Sequence, residues 1–181
     1  MDYTEKKIRR VNSYSGIIVD VTVDQVELYG GARSMREVVE HPGGVCILPL
    51  FDDGNVMCVR QFRYPFHEHL LELPAGKLEK GEDPYDCAVR ELGEETGITA
   101  GELIPLGKMY CSPGYCHEVL HLYLARGLVQ GQAHLDPNEF LDVENIQFDR
   151  LVGMVMSGEI TDAKTALAVL KTKILLEGTD E

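Results

Sequence analysis

A chain of 181 residues has room for one domain of ordinary size with its own core. Hydrophobic residues make up 44% and charged residues 26%, the balance of a soluble globular protein. Thirty acidic residues against seventeen basic ones leave a formal charge of −13, which argues against nucleic acid as the main partner, because such a surface repels phosphate backbones.

The first half reads as strands. Gly16 to Val26 alternates through Ile18, Asp20, Val21, Thr22 and Val23, and Arg36 to Glu40 is short and β-branched. Val45 to Leu50 and Val56 to Phe62 are apolar runs separated by Asp52-Asp53-Gly54-Asn55, which predicts a hairpin. Leu70 to Leu73 is a further short segment, closed by Pro74-Ala75-Gly76. The pattern then changes to a helix from Asp83 as N-cap, through Pro84, to Gly97 just past its end. Tyr85, Ala88, Val89 and Leu92 mark its expected apolar face. Strands resume at Leu103 to Tyr110 and Val119 to Ala125. Two helices follow, Phe148 to Ser157 and Asp162 to Leu176, the second with a stripe of Ala163, Ala166, Leu167, Leu170 and Ile174. With no repeat or linker, this order predicts one α/β domain over 1–181, a mixed sheet with helices packed on it.

No apolar run reaches the ~20 residues of a membrane helix, and the N-terminus lacks an apolar signal segment. Cys46, Cys58, Cys87, Cys111 and Cys116 form an odd set without CxxC spacing, so free thiols and a reducing cytoplasm are expected.

Chemistry concentrates on the first helix. Glu91 and Glu95 lie one turn apart on one side, with Glu94 beside them. Like charges at that spacing weaken a helix by roughly 0.2–0.5 kcal/mol per pair, and acids near a helix C-terminus oppose its dipole. A bound dication reverses both penalties, and oxygen-only ligands suit Mg²⁺ or Mn²⁺. His117-x3-His121 and His67-x-His69 lack completing ligands for zinc.

Gly76, Glu82, Arg90, Glu91, Leu92, Glu94, Glu95, Gly97 and Ile98 satisfy the whole pattern G-x5-E-x7-R-E-U-x-E-E-x-G-U, with U aliphatic. The segment 76–98 therefore resembles the Nudix box without a departure. The resemblance implies an αβα sandwich around a central mixed sheet, and Mg²⁺-dependent hydrolysis of a nucleoside diphosphate linked to a second group. It implies metal ligation by Glu91, Glu94, Glu95 and the carbonyl of Ala75, while Glu82 and Arg90 fix the loop to the helix and Gly76 and Gly97 shape the backbone.

Beyond the box, Val59-Arg60-Gln61-Phe62-Arg63, Glu72-Leu73-Pro74-Ala75-Gly76, Ser112-Pro113-Gly114-Tyr115 and Gly158-Glu159-Ile160-Thr161-Asp162-Ala163-Lys164-Thr165 resemble the ADP-ribose pyrophosphatase branch. That likeness implies substrate contacts from Arg63, Glu72, Pro113 and Glu118, and a late carboxylate from Glu139 as metal ligand or general base. Pro137 stands where some relatives carry another acid, so Glu139, Glu118 and Glu94 all remain candidate bases. The expected partner is a small nucleoside diphosphate sugar, with ADP-ribose ahead of GDP-mannose, and a homodimer joined by N-terminal strands within about 1–40. A non-catalytic nucleotide-sugar sensor is the rival from another class; the complete box favours the enzyme.

Overall fold

The computed structural model describes residues 1–135, 137 and 140–178. The chain forms two compact units, Met1–Gly43 with Tyr110–Val119, and Gly44–Met109 with Leu120–Glu181.

The first unit holds an antiparallel sheet of β1 (Lys6–Ser15), β2 (Asp20–Glu27) and β3 (Arg33–Glu40), in that order. Here β1 was not foreseen, and the strand expected from Gly16 starts only at Asp20. Gly16 to Val19 instead forms the turn between strands, closed by Gly16 N–H donating to Val19 O at 2.9 Å. Charge hid β1: Lys6, Lys7, Arg9 and Arg10 interrupt the alternation, and every residue of the strand is exposed. Two of those cations meet a buried acid, Lys7 Nζ at 2.5 Å and Arg10 Nε at 3.1 Å from the Asp24 carboxylate.

In the second unit, β4 (Gly44–Pro49) is buried along its whole length. It pairs antiparallel with β7 (Ala75–Lys77) and parallel with β9 (Val119–Gln130), and β8 (Ile98–Tyr110) completes the order β7-β4-β9-β8. A second sheet sets β5 (Asn55–Arg63) between β10 (Leu141–Gln147) and β6 (Glu68–Glu72), both antiparallel to it. The predicted turn at 52–55 is present, with Phe51 N–H donating to Asn55 O at 2.8 Å. Its flanking strands share one bridge, Leu50 with Val56, and then enter different sheets.

Among the described residues three helices pack on the four-stranded sheet: α1 (Pro84–Thr96), α2 (Phe148–Ser157) and α3 (Ala163–Glu177). Side-chain alternation along β4 separates two cores. Val45 and Ile47 pack with Cys87, Ala88 and Leu92 of α1, while Cys46 and Leu48 pack with Leu151 and Met154 of α2 and Ala168 and Val169 of α3. Helices therefore lie on both faces, which is the expected αβα sandwich. Burying a Leu or Val side chain in such a layer contributes about 1.5–3 kcal/mol. Among the described residues no helix is long and apolar enough to cross a membrane. The five cysteines are free thiols; Cys46, Cys58 and Cys87 are buried, and burial pushes the Cys58 and Cys87 thiols up to about 12.

Two helical faces differ from expectation. On α1, Ala88 and Leu92 are buried as foreseen, but Tyr85 and Val89 are half exposed while Glu91 and Glu95 turn inward. On α3 the buried side is Thr165, Ala168, Val169 and Thr172, and Ala163 and Ile174 face out. Apolar periodicity assigns threonines and glutamates to solvent; here hydrogen bonds hold Thr165, Glu91 and Glu95 inside.

Candidate active site

The segment Glu72 to Gly76 carries the end of β6 into β7 and is fastened on three sides. Leu73 N–H donates to the Thr165 hydroxyl on α3 at 2.9 Å, Ile47 N–H of β4 donates to Pro74 O at 2.9 Å, and Ala75 N–H donates to the Glu95 carboxylate of α1 at 3.0 Å. Gly76 then passes directly beside α1. A Cβ at that position would lie 1.8–2.2 Å from the carboxyl atoms of Glu91, so any larger residue would have to push that carboxylate aside.

The ends of α1 explain how its carboxylates are presented. Asp83 caps the start by accepting Tyr85 N–H at 2.8 Å, and Pro84 opens the first turn. At the other end Gly97 takes a left-handed φ of 72° and donates to Gly93 O. A Cβ on Gly97 would meet Ala133 N and Gln132 C at 2.6 Å. His134 N–H also donates to Glu94 O at 2.9 Å, so the chain leading toward residue 136 is tied to the end of α1.

Arg90 gathers the acids of this helix. Its Nε and Nη2 form a fork to Glu82 at 2.9 and 3.0 Å, and Nη1 donates to Glu91 at 2.8 Å and Glu94 at 2.9 Å. The fork, with help from Glu79 N–H, holds the Glu82 carboxyl down at about 2. Glu91 is buried and Glu95 is 1% exposed, while Glu94 is more open. Among the described residues no three His, Cys, Asp or Glu side chains stand as a closed metal cage, because Glu91 and Glu94 turn to Arg90 and Glu95 turns to Ala75 N–H. The donor chemistry nevertheless fits a hard dication: three carboxylates on one helix face, with the β7 backbone brought close by Gly76.

A second charged cluster stands on the same segment. Glu72, 1% exposed, accepts a fork from Arg63 Nε and Nη2 at 2.6 and 2.7 Å. Lys164 Nζ donates to the same carboxylate and lies 3.0 Å from Asp162. Burial alone would raise the Glu72 pKa, but the Arg63 and Lys164 charges outweigh it and hold the group below its ordinary value. Sequence reading gave Lys164 no role. A signal was available: a lysine in the first turn of a helix opposes the dipole, so an anionic partner must hold it there.

Pro113 and Glu118 belong to the first unit. There Val39 binds the loop through its N–H to Tyr115 O at 2.7 Å and its O to His117 N–H at 2.8 Å, and Glu118 lies 3.4 Å from His41 Nδ1. Glu139 lies outside the described residues.

Residues 40–167 match the NUDIX domain model, and the chain belongs to that family. It is 43% identical over 167 residues to a Bacillus subtilis (strain 168) protein described as ADP-ribose pyrophosphatase, across 91% of this chain and 90% of that one. A Bacillus methanolicus protein described as methanol dehydrogenase activator is 40% identical, across 92% and 91%. The crystal structure of an ADP compounds hydrolase superposes with a TM-score of 0.85 at 21% identity, covering 97% of this chain and 95% of that one, a likeness of fold.

Proposed function

We propose that this protein hydrolyses the pyrophosphate bond of ADP-ribose to AMP and ribose 5-phosphate with Mg²⁺, Mn²⁺ being a substitute. The observation that carries the reading is the complete set of box carboxylates, two of them buried against β7. The 43% likeness to a protein described as ADP-ribose pyrophosphatase supports the substrate. Glu91, Glu94, Glu95 and the Ala75 carbonyl would hold the metal, joined by Glu139. Bound there, Mg²⁺ supplies neutralisation of the diphosphate charge and a more acidic water.

The chain's own groups do the rest. Arg63 has two donor nitrogens on Glu72, and among the described residues its remaining N–H groups are left for phosphate oxygens. Glu94, the most open box acid, or Glu139 takes the proton from water, with Glu118 as a third candidate. Glu118 and Pro113 contact the substrate, Glu82 and Arg90 brace the helix, and a second copy of the chain completes a homodimer through the N-terminal strands.

Pure protein incubated with ADP-ribose and Mg²⁺ should yield AMP and ribose 5-phosphate on chromatography, and EDTA should abolish both. GDP-mannose in a parallel tube tests the alternative substrate. Turnover of that compound with ADP-ribose left intact would overturn the assignment. Binding of either nucleotide sugar without products from either would favour a sensor.

A further inference from the structure

The cluster around Glu72 holds more positive charge than an arginine–glutamate pair needs. Were Arg63 to serve as Glu72's sole cation, every interaction it made with a substrate would compete with a buried carboxylate. Leaving such a carboxylate uncompensated is strongly unfavourable. Lys164 changes that balance. Its ammonium sits on the inner side of Glu72, 12% exposed, whereas Arg63 is 38% exposed on the outer side. Asp162 lies 3.0 Å from the ammonium, and the same Asp162 accepts Thr165 N–H at 3.0 Å as cap of α3. Thr165 in turn holds Leu73, next to Glu72. Lysine, caps and carboxylate therefore form one rigid block behind the arginine.

We infer that Lys164 is a positioning residue for substrate binding: it compensates Glu72 from behind, so that Glu72 aims Arg63 outward and Arg63 can share its charge with a diphosphate. The inference rests on the proposed role of Arg63 as the diphosphate-binding cation. Lys164 itself does not touch the substrate; it acts through Glu72 and Arg63.

The test is a double-mutant cycle read by steady-state kinetics with ADP-ribose and by calorimetric binding of inorganic pyrophosphate. Lys164→Met should raise KM, and weaken pyrophosphate binding, by about 10-fold, as loss of a supporting contact behind a ligand-binding group does, with kcat within about twofold. Lys164→Arg, which keeps charge and donors, should restore most of the loss. In an Arg63→Gln background, Lys164→Met should have no further effect. Lys164→Gln serves if the methionine variant does not fold. An effect that persists without Arg63, or a fall in kcat at unchanged KM, would overturn the inference in favour of a direct or merely structural role. Wild-type protein that leaves ADP-ribose intact removes the substrate reading instead. The pyrophosphate cycle then decides Lys164 by itself: coupling to Arg63 supports the inference, and additive or absent effects overturn it.

Discussion

The Glu72–Gly76 segment begins at one charged group, around Glu72, and runs beside a second, the acids gathered at α1, and the protein treats them in opposite ways. Glu72 is nearly solvent-free and is met by two cations, Arg63 and Lys164. Glu82, Glu91 and Glu94 all converge on Arg90, while Glu95 accepts a backbone N–H. The first group is balanced by the chain's own charges. The second carries an excess of negative charge on a helix that does not favour it, which suits a site completed by a dication. The same side chain thus has two uses, set by the number of cations the fold supplies.

That contrast can be broken or sharpened by experiment. The largest effect should come from Glu95→Gln, which keeps an oxygen for the Ala75 N–H and so the fold. Losing several kcal/mol of charge stabilisation should lower kcat by on the order of 1,000-fold; turnover near wild type would detach the box from the chemistry. Next, Glu72→Ala leaves Lys164 beside Asp162 alone and should reduce the unfolding free energy by about 2 kcal/mol in urea. That is less than the ~3–5 kcal/mol of a fully buried pair, because Arg63 reaches solvent.

Glu91→Gln should change stability less. It weakens the bond from Arg90 but relieves repulsion with Glu95, so the metal-free protein should shift by no more than about 0.5 kcal/mol, and the rise in Tm on adding Mg²⁺ should shrink. A loss as large as that of Glu72→Ala would erase the distinction between the two groups. The smallest effect concerns Glu82, whose carboxyl is depressed to about 2 by Arg90. A depressed carboxylate stabilises the folded state above its unfolded pKa and loses that contribution as pH falls through the folded one. The Tm difference between wild type and Glu82→Gln should be full above about pH 4.5 and vanish toward pH 2. A difference independent of pH would mean that Glu82 acts through packing.

Much of this arrangement was legible in the residues. Asp83, Pro84 and Gly97 carry the geometry of α1 in their own local chemistry, and the box pattern named the family before any coordinate. What was lost has a common cause. Glu91, Glu95, Thr165 and Thr172 are buried polar residues, and hydrophobic periodicity places such residues outside. The unforeseen strands β1 and β10 fail for a related reason: Lys6-Lys7 and Arg9-Arg10 in one, and Glu144-Asn145 in the other, break the alternation that marks a strand. The pairing of β10 also comes from a neighbour distant in sequence, as when Glu144 crosses from β10 to Arg60 on β5. Lys164 was missed because its partner, Glu72, is far away along the chain.

The parallel pairing of β4 with β9 has a consequence for how the molecule is made. Cys46 aligns with Leu122 and Ile47 with Tyr123, and the whole of α1 is encoded between them. During synthesis β4 must wait, apolar on both sides, for a partner that the ribosome has not yet released. Non-local pairing of this kind folds slowly and leaves a sticky edge while it does. Chains ending before Val119 should therefore aggregate even though they contain every residue of the box, and solubility should return only once β9 has emerged.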